Sequence, residues 1–216
     1  MIYIVGAGGF AREVHNILID LGLDDEVIGF LEDNCQRRGA LLHGKKIDDT
    51  SILQNLDPNR VKLVCGIGSP LRKKLIERTK KMGFSYMTLI HPSVIKSKWV
   101  EFGEGAVVCA GNVFTSEGII GDFSIIYPNC TITHDVVVGK YTTIASGTHI
   151  SGNVTIGNEC FIGTGTVFVE KVRVGDRVFI GAGSVVTKDI PDGVLAYGVP
   201  AKVVRKLSED EWLKLI

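Results

Sequence analysis

The chain has 216 residues, of which 45% are apolar, and its 24 basic and 24 acidic side chains leave a net formal charge of zero. This length and composition exclude a disordered or fibrous chain and predict a globular protein of one large domain or two small ones. Because the basic and acidic residues are interspersed, no strong positive field attracts a polyanion, and nucleic acid is not an expected partner.

No run approaches the roughly 20 apolar residues that span a bilayer, and the N-terminus lacks a signal-peptide pattern, so we expect no membrane insertion and a cytoplasmic location. The cysteines are odd in number and form no C-x-x-C pair: Cys35, Cys65, Cys109, Cys130 and Cys160. This pattern predicts free, mostly buried thiols, with neither a disulfide framework nor a metal site.

The N-terminal segment has the order strand, glycine loop, helix. Residues 2–5 are apolar and predict a buried strand, and the loop at residues 6–11 (GAGGFA) fits the pattern G-x-G-x-x-A before an amphipathic helix. A second predicted strand, residues 26–31, is followed by Glu32 and Asp33 at the position where nucleotide-binding folds carry an acidic residue. These features indicate a Rossmann-like nucleotide site.

A second glycine loop follows the third predicted strand. That strand covers residues 61–65, the loop contains Gly68, and a helix is predicted over residues 71–82. Because the carboxyl ends of parallel strands meet at one edge of a sheet, we expect both loops to line one phosphate-compatible crevice. The alternative is that the glycines only permit tight turns from strand to helix. The predicted sheet is too small for a full dinucleotide fold of six strands.

A six-residue repeat occupies the second half of the chain. Large apolar residues recur at every sixth position: Phe102, Val108, Phe114, Ile120, Ile126, Ile132, Val138, Ile144, Ile150, Ile156, Ile162, Phe168, Val174, Ile180 and Val186. A helix cannot keep this register, whereas a prism-shaped β-solenoid can, with three hexapeptides in each coil of about 18 residues. We expect the apolar residues to point inward and the small residues four places later, including Cys130 and Cys160, to pack near the turns. Glycine often follows the apolar residue, which we attribute to its tolerance of turn backbone angles.

The α/β segment, the hexapeptide array and the motif GVPAK at residues 198–202 together resemble the sugar O-acyltransferase family over essentially the whole chain. This family includes sialic acid O-acetyltransferases and N-acetyltransferases of nucleotide-linked 4-amino-4,6-dideoxy sugars, which serve surface-glycan synthesis. The resemblance implies a left-handed parallel β-helix, a homotrimer, and acetyl-CoA in a groove between neighbouring β-helices. We divide the chain into a Rossmann-like nucleotide-sugar-binding domain (1–90), the β-helix acyltransferase domain (91–206) and a short C-terminal helix (207–216).

The resemblance also implies a general base. In the family, a histidine in a segment like residues 132–139 (ITHDVVVG) accepts a proton with help from the adjacent acidic residue, which assigns these roles to His134 and Asp135. Acetyl transfer from a thioester does need a proton acceptor, and neutral imidazole is the natural one near pH 7. The alternative is a surface histidine on a solenoid turn. His149 is the second candidate.

The acetyl-CoA contacts that the resemblance implies fall on glycine-bearing turns and on basic residues after the last coil: Gly163, Thr164, Gly181, Ala182, Lys202 and Arg205. Thr143 joins them, because it stands where bacillosamine-pathway members carry a second histidine, and its hydroxyl can supply a hydrogen bond instead. The basic residues have an alternative role in flanking the C-terminal helix, which we expect from about Ser208 to Leu215.

The nucleotide sugar is expected to contact the residues of the two glycine loops and the end of the second strand: Gly8, Gly9, Phe10, Asp33 and Gly68. Phe10 is a departure, because the family often carries a polar residue there. The nucleotide itself (UDP, GDP or dTDP) and the acyl chain stay open at this point.

The favoured hypothesis is an acetyl-CoA-dependent N-acetyltransferase that acts on the amino group of a nucleotide-linked 4-amino-4,6-dideoxy sugar. An O-acetyltransferase that acts on sialic acid or a related hydroxyl is the alternative, and it requires a cation for the carboxylate, such as Arg12. A third hypothesis is a non-catalytic module in which the solenoid only trimerises. A nicotinamide dehydrogenase is disfavoured, because a solenoid offers no hydride-transfer pocket.

Overall fold

The computed structural model describes residues 1–33, 35–69, 72–208 and 211–212. The chain divides into two compact units, Met1–Leu89 and Ile90–Ile216. The first unit is an α/β fold, and the second is built mainly from short parallel strands.

The N-terminal unit is a mostly parallel sheet with helices. Its elements are β1 (Ile2–Val5), α1 (Gly9–Asp20), β2 (Val27–Glu32), β3 (Leu41–Leu42), β4 (Lys45–Asp49), β5 (Lys62–Cys65), α2 (Arg72–Lys81) and β6 (Ser85–Tyr86), with 3-10 helices at Asp24–Glu26 and Thr50–Asn55. The strand order across the sheet is β3-β4-β2-β1-β5-β6. The pairs are parallel except for the β3–β4 hairpin.

This sheet corrects one expectation, because it has six strands where the sequence predicted a smaller sheet. Strands β3 and β6 have only two residues each, and β4 has a single apolar residue, Ile47, among four charged ones. Neither pattern carries an apolar alternation to recognise. The amphipathic helix α1 is confirmed, with Val14, Ile17 and Leu18 buried against the sheet. Both glycine loops follow the carboxyl ends of the paired strands β1 and β5, so they lie at the same edge.

The second unit is a parallel β-solenoid. Ile125 pairs with Thr143 and Thr143 with Phe161, so each coil takes 18 residues. The strands form three sheets of eight, six and five strands. They are β7 (Leu89–Ile90), β8 (Ile95–Lys96), β9 (Val100–Phe102), β10 (Val107–Val108), β11 (Val113–Phe114), β12 (Gly118–Ile120), β13 (Ile125–Ile126), β14 (Thr131–Ile132), β15 (Val136–Val138), β16 (Thr143–Ile144), β17 (His149–Ile150), β18 (Thr155–Ile156), β19 (Phe161–Ile162), β20 (Val167–Phe168), β21 (Arg173–Val174), β22 (Phe179–Ile180), β23 (Val185–Val186), β24 (Val194–Gly198) and β25 (Ala201–Lys206).

The solenoid core confirms the inward column that the six-residue repeat predicts. The apolar repeat residues from Val108 to Val186 are all buried in one continuous core, and Phe102 packs against it while partly buried. The small residues four places later are buried as well, including Cys130 and Cys160 at 0% and 1% exposure. Each coil therefore buries its own apolar side chains against those of the next coil.

The glycines after the inward residues correct another expectation, because they are needed for space and not for their backbone angles. A Cβ on Gly139 would lie 2.5 Å from the carbonyl carbon of Gly157, and one on Gly121 would lie 2.7 Å from that of Gly139. The left-handed backbone conformation occurs three residues after the inward residue instead, as at Phe123 and Asp135, both with φ 57. Consecutive coils stack too closely at the glycine positions for any side chain.

Replacing Gly139 with alanine should therefore destabilise the solenoid. The new methyl group meets backbone atoms that cannot rotate away, and we expect the free energy of unfolding to fall by about 3 kcal/mol. Gly147→Ala is the control: it places a Cβ at a left-handed turn with nothing within 4 Å and should cost about 1 kcal/mol. Chemical denaturation of both variants tests this explanation, which equal destabilisation would contradict.

The C-terminal segment follows the antiparallel pair β24 and β25. The Ser208 amide donates to a Glu211 carboxylate oxygen at 3.0 Å, and the Glu211 amide donates to the Ser208 hydroxyl at 3.3 Å. These two bonds form a capping box, as expected for a helix that starts here. Trp212 is buried at 5% exposure and contacts Phe179 edge to face. The remainder of the predicted helix, at 209–210 and 213–216, lies outside the described residues.

Candidate active site

A cavity of about 980 Å³ lies at the carboxyl edge of the N-terminal sheet. Both glycine loops, the end of β2 and one face of α2 line it. It collects all five residues expected to bind the nucleotide sugar, namely Gly8, Gly9, Phe10, Asp33 and Gly68. The crevice that the sequence predicted therefore exists as one cavity, and the individual contacts stay predictions.

The cavity has a basic wall that the sequence analysis missed. Lys74, Arg78 and Lys81 of α2 line it, together with Glu77. The three cations share a helix face because they are four and three residues apart. Three neighbouring lysine and arginine side chains can bind phosphate oxygens through charge-assisted hydrogen bonds. The spacing of these basic residues within the helix predicted after the second glycine loop could have indicated this wall from the sequence alone.

Asp33, the expected ribose or base contact, is already paired at the cavity. It accepts hydrogen bonds from the Arg78 guanidinium and the Thr50 hydroxyl. Burial acts to raise the pKa of Asp33, but the hydrogen bonds from Arg78 and Thr50 outweigh it and hold the pKa below its ordinary value. The neighbouring Glu32 is paired with Arg37 at 2.7 Å. The carboxylates at the end of β2 are therefore ionised and pre-positioned at neutral pH.

A buried arginine holds the second glycine loop. Arg72 is 0% exposed, and its Nη1 donates to the carbonyl oxygens of Gly68 and Ser69, both at 3.1 Å. Hydrogen bonds from a charged donor are among the stronger ones in proteins. They fix the orientation of a loop that lines the cavity.

The predicted pair of His134 and Asp135 is present on a corner of the solenoid. The His134 Nδ1 lies 2.9 Å from the Asp135 Oδ2, and the side chains are 50% and 58% exposed. Asp135 has a left-handed backbone, which aspartate adopts more readily than most residues. Because a carboxylate only accepts hydrogen bonds, the neutral imidazole that makes this bond is the tautomer with the proton on Nδ1 and the lone pair on Nε2. The structure therefore contains an imidazole oriented by a carboxylate, and its role as general base stays a prediction.

A second carboxylate, missed by the sequence analysis, lies one coil before this pair. The carbonyl of Glu117 accepts a hydrogen bond from the Asp135 amide at 2.8 Å. A hydrogen bond from the Ser116 hydroxyl lowers the pKa of Glu117, and the charges of Asp135 and His134 act on it in opposite senses. Stepping 18 residues back from His134 and Asp135 identifies both Ser116 and Glu117.

The residues assigned to acetyl-CoA fall at several places on the solenoid. Thr143 is 1% exposed, and its hydroxyl has no hydrogen-bond partner within the described part of the chain. Thr164 and Ala182 are exposed at the same turn of successive coils. Gly163 and Gly181 precede them, and a Cβ on Gly163 would lie 2.5 Å from the Ala182 amide nitrogen. At least Gly163 is thus explained by coil stacking.

The two predicted cations for CoA phosphates lie on the exposed strand β25. Lys202 and Arg205 are both exposed, and Arg205 forms an ion pair with Glu211 at 2.7 Å. An exposed pair of this kind contributes little stability, so Arg205 can exchange its partner for a phosphate. His149, the second histidine candidate, lies on the face of β17 with its Nδ1 2.7 Å from the Thr131 hydroxyl.

The remaining candidates for a functional role are the cysteine thiols and a possible metal site. All five cysteines are free. Burial raises the pKa of Cys130 to about 11 and that of Cys160 to about 12, so neither is a nucleophile at neutral pH. In the described ranges, no group of three or more His, Cys, Asp or Glu side chains is placed to hold a metal ion. Over the same residues, no helix is long and apolar enough to span a membrane.

Known proteins resemble this chain along most of its length. The PglD N-terminal domain family matches residues 1–79, and the bacterial transferase hexapeptide family matches residues 118–152 and 153–188. The acetyltransferase domain of PglB from Neisseria gonorrhoeae, solved with acetyl coenzyme A, is 33% identical, covers 94% of this chain and 98% of its own, and has a TM-score of 0.88. PerB from Caulobacter crescentus, solved with CoA and GDP-perosamine, is 33% identical over 94% and 97% of the two chains, with a TM-score of 0.87.

A curated relative is the UDP-N-acetylbacillosamine N-acetyltransferase of Bacillus subtilis, which is 31% identical over 111 residues. This match covers 50% of the present chain and 51% of the relative, so it spans about half the relative's length. The α/β unit and the 18-residue solenoid, together with these matches, define a hexapeptide-repeat acyltransferase. More particularly, the chain belongs to the family of PglD-like sugar acetyltransferases, as the sequence resemblance implied.

Proposed function

We propose that this chain transfers the acetyl group of acetyl-CoA to the amino group of a nucleotide-linked 4-amino-4,6-dideoxy sugar, with His134 as general base. The observation that carries the proposal is the His134–Asp135 pair on the corner of a hexapeptide solenoid. The phosphate-suited cavity of the N-terminal unit supports a nucleotide substrate. The relatives support the same class of reaction, because PerB binds CoA and GDP-perosamine and PglB binds acetyl-CoA.

The reaction needs one proton acceptor. The sugar amine attacks the thioester carbonyl carbon, a carbon–nitrogen bond forms, and the carbon–sulfur bond breaks. The Nε2 atom of His134 takes the proton that the nitrogen loses and passes it to the sulfur, which leaves as the CoA thiol. Asp135 holds the imidazole in the tautomer with a free Nε2 and stabilises the imidazolium that forms.

For the nucleotide sugar, we propose the cavity of the N-terminal unit. The amide groups of the loops at Gly8, Gly9 and Gly68 and the cations of α2 bind the pyrophosphate. Asp33 reaches the ribose or base, and Phe10 packs beside the sugar. UDP, GDP and dTDP all meet this description, so the experiment below determines which nucleobase the substrate carries.

For acetyl-CoA, we propose the solenoid surface that carries the turns at Thr164 and Ala182, with Lys202 and Arg205 on the phosphates. Thr143 stays in the proposal, but its hydroxyl is buried and lacks a partner among the described residues, so a ligand acceptor reaches it only when the side chains that cover it move. The proposal includes a homotrimer with acetyl-CoA between neighbouring solenoids. It also includes a cytoplasmic location, where acetyl-CoA is supplied.

Mass spectrometry of the products tests the proposal. The protein is incubated with acetyl-CoA and, separately, with UDP-, GDP- and dTDP-linked 4-amino-4,6-dideoxy sugars and with free sialic acid. We expect a gain of one acetyl group on one nucleotide sugar. Acetylation of sialic acid alone would replace the proposal with O-acetyl transfer, and release of CoA without any acetylated acceptor would contradict both.

A further inference from the structure

We propose that Gly152 is a positioning residue for the His134 imidazole, because the ring occupies the space that a side chain at position 152 would fill. The inference rests on the proposed function, since Gly152 acts only through the general base.

The ring of His134 lies directly against the backbone of the next coil. A Cβ built on Gly152 would lie 3.0 Å from the His134 Nδ1 and closer still to Cε1 and Nε2, and these are its three nearest atoms. Gly152 is buried although it sits on a turn. Any side chain at position 152 must therefore displace the imidazole.

The backbone at this position does not itself require glycine. The left-handed conformation falls on the following residue, Asn153, with φ 60. The Gly152 carbonyl accepts from the Lys171 amide at 3.0 Å, and the Asn153 amide donates to the His134 carbonyl at 3.0 Å. These are ordinary bonds between successive coils, and alanine can make them as well as glycine.

The other coils carry side chains at the equivalent position. Stepping 18 residues along the solenoid from Ser116 gives His134, Gly152 and Glu170. The turn accommodates a hydroxyl, an imidazole and a carboxylate there, so its geometry does not exclude a Cβ. Glycine occurs in the coil directly above the proposed base, where the ring needs the room.

Two contacts therefore fix the ring of His134. Asp135 holds it at Nδ1, and the absence of a Cβ at Gly152 leaves space for Cε1 and Nε2 beside the next coil. A methyl group at position 152 displaces Nε2 without removing Asp135, the hydrogen-bond partner of Nδ1. Misplacing a reacting group by about 1 Å costs on the order of 10²-fold in rate.

Steady-state kinetics of Gly152→Ala test the inference. We expect kcat to fall by about 10²-fold, while the KM values for acetyl-CoA and the amino sugar stay within about threefold, since no binding contact is lost. The thermal midpoint should stay close to that of the unmodified protein. Glu170→Ala, at the same position one coil later, is the matched control and should keep kcat within about twofold.

A double-mutant cycle separates positioning from a general structural effect. In a His134→Ala background, Gly152→Ala should change kcat by less than about twofold, because the ring that it displaces is gone. Full activity of Gly152→Ala, an equal loss in both backgrounds, or loss of the folded state would each overturn the inference. If His134→Ala itself retains the original kcat, the proposed function fails first, so the two failures are distinguishable.

Discussion

Replacing His134 with alanine is expected to lower kcat by about 10²–10⁴-fold, the contribution that a positioned general base makes. The side chain is half-exposed and lies outside the solenoid core, so the thermal midpoint should change little. Thiol release from acetyl-CoA in the presence of the amino-sugar nucleotide measures kcat, and calorimetry measures stability.

Asp135→Asn refines this result. The asparagine amide can donate to Nδ1, which favours the tautomer with a protonated Nε2, so kcat should fall by about 10²-fold or more with little change in KM. Retention of kcat in His134→Ala would contradict the assignment of the base. A larger loss in His149→Ala would transfer that role to His149.

Removing two cations from the N-terminal cavity should weaken nucleotide-sugar binding strongly. A hydrogen bond to a charged group is worth about 1.5–3 kcal/mol, so Arg78→Ala combined with Lys81→Ala should raise the Kd by about 10²-fold or more. Calorimetric titration with the nucleotide sugar measures the effect. The KM for acetyl-CoA should stay within about threefold, because we place that ligand on the solenoid.

Arg60→Ala is the control for this pair, because Arg60 is 81% exposed and does not line the cavity. It removes a cation from the same unit and should leave the Kd within about twofold. Raising the salt concentration should weaken binding to the unmodified protein more than to the double variant. Equal affinity of the double variant and the unmodified protein would contradict the placement of the pyrophosphate against α2.

The solenoid could be predicted in detail because its signal is repeated. One apolar residue every six positions is weak evidence, but the register from Phe102 to Val186 has no slip, and the structure buries that column. Strands β3 and β6 carried no such redundancy, and two-residue strands are defined by their neighbours in the sheet rather than by their own side chains. The size of the N-terminal sheet was underestimated for that reason, and because the charged sequence of β4, with Ile47 as its only apolar residue, did not indicate a strand.

The role of the repeat glycines was misread because sequence spacing does not reveal how closely coils approach. A glycine after an inward residue looks like a turn residue, whereas the backbone of the next coil is the true constraint, as at Gly139. The left-handed positions hold residues such as Phe123 and Asp135. Aspartate is enriched at positive φ, so Asp135 is compatible with this conformation, whereas nothing in a phenylalanine such as Phe123 indicates it in the sequence.

The candidate site was predictable to the extent that its members are neighbours in sequence. His134 and Asp135 are adjacent and could be recognised together. Glu117 and Gly152 lie about one coil away, and only the 18-residue stacking step joins them to the pair. The cations of α2 become neighbours only when the sequence is placed on a helix, and a row of charged residues on a helix face is more often solvated than functional.

The measurement that tests the central claim most directly is carbon NMR of the product formed from acetyl-CoA labelled at the acetyl carbonyl. With the nucleotide sugar that is accepted in the mass-spectrometric panel, we expect the labelled carbon to appear in an amide on the sugar amine. The same signal should be reduced by about 10²-fold or more in the His134→Ala protein. A labelled ester on a sugar hydroxyl, or an equal rate of amide formation without His134, would contradict the account.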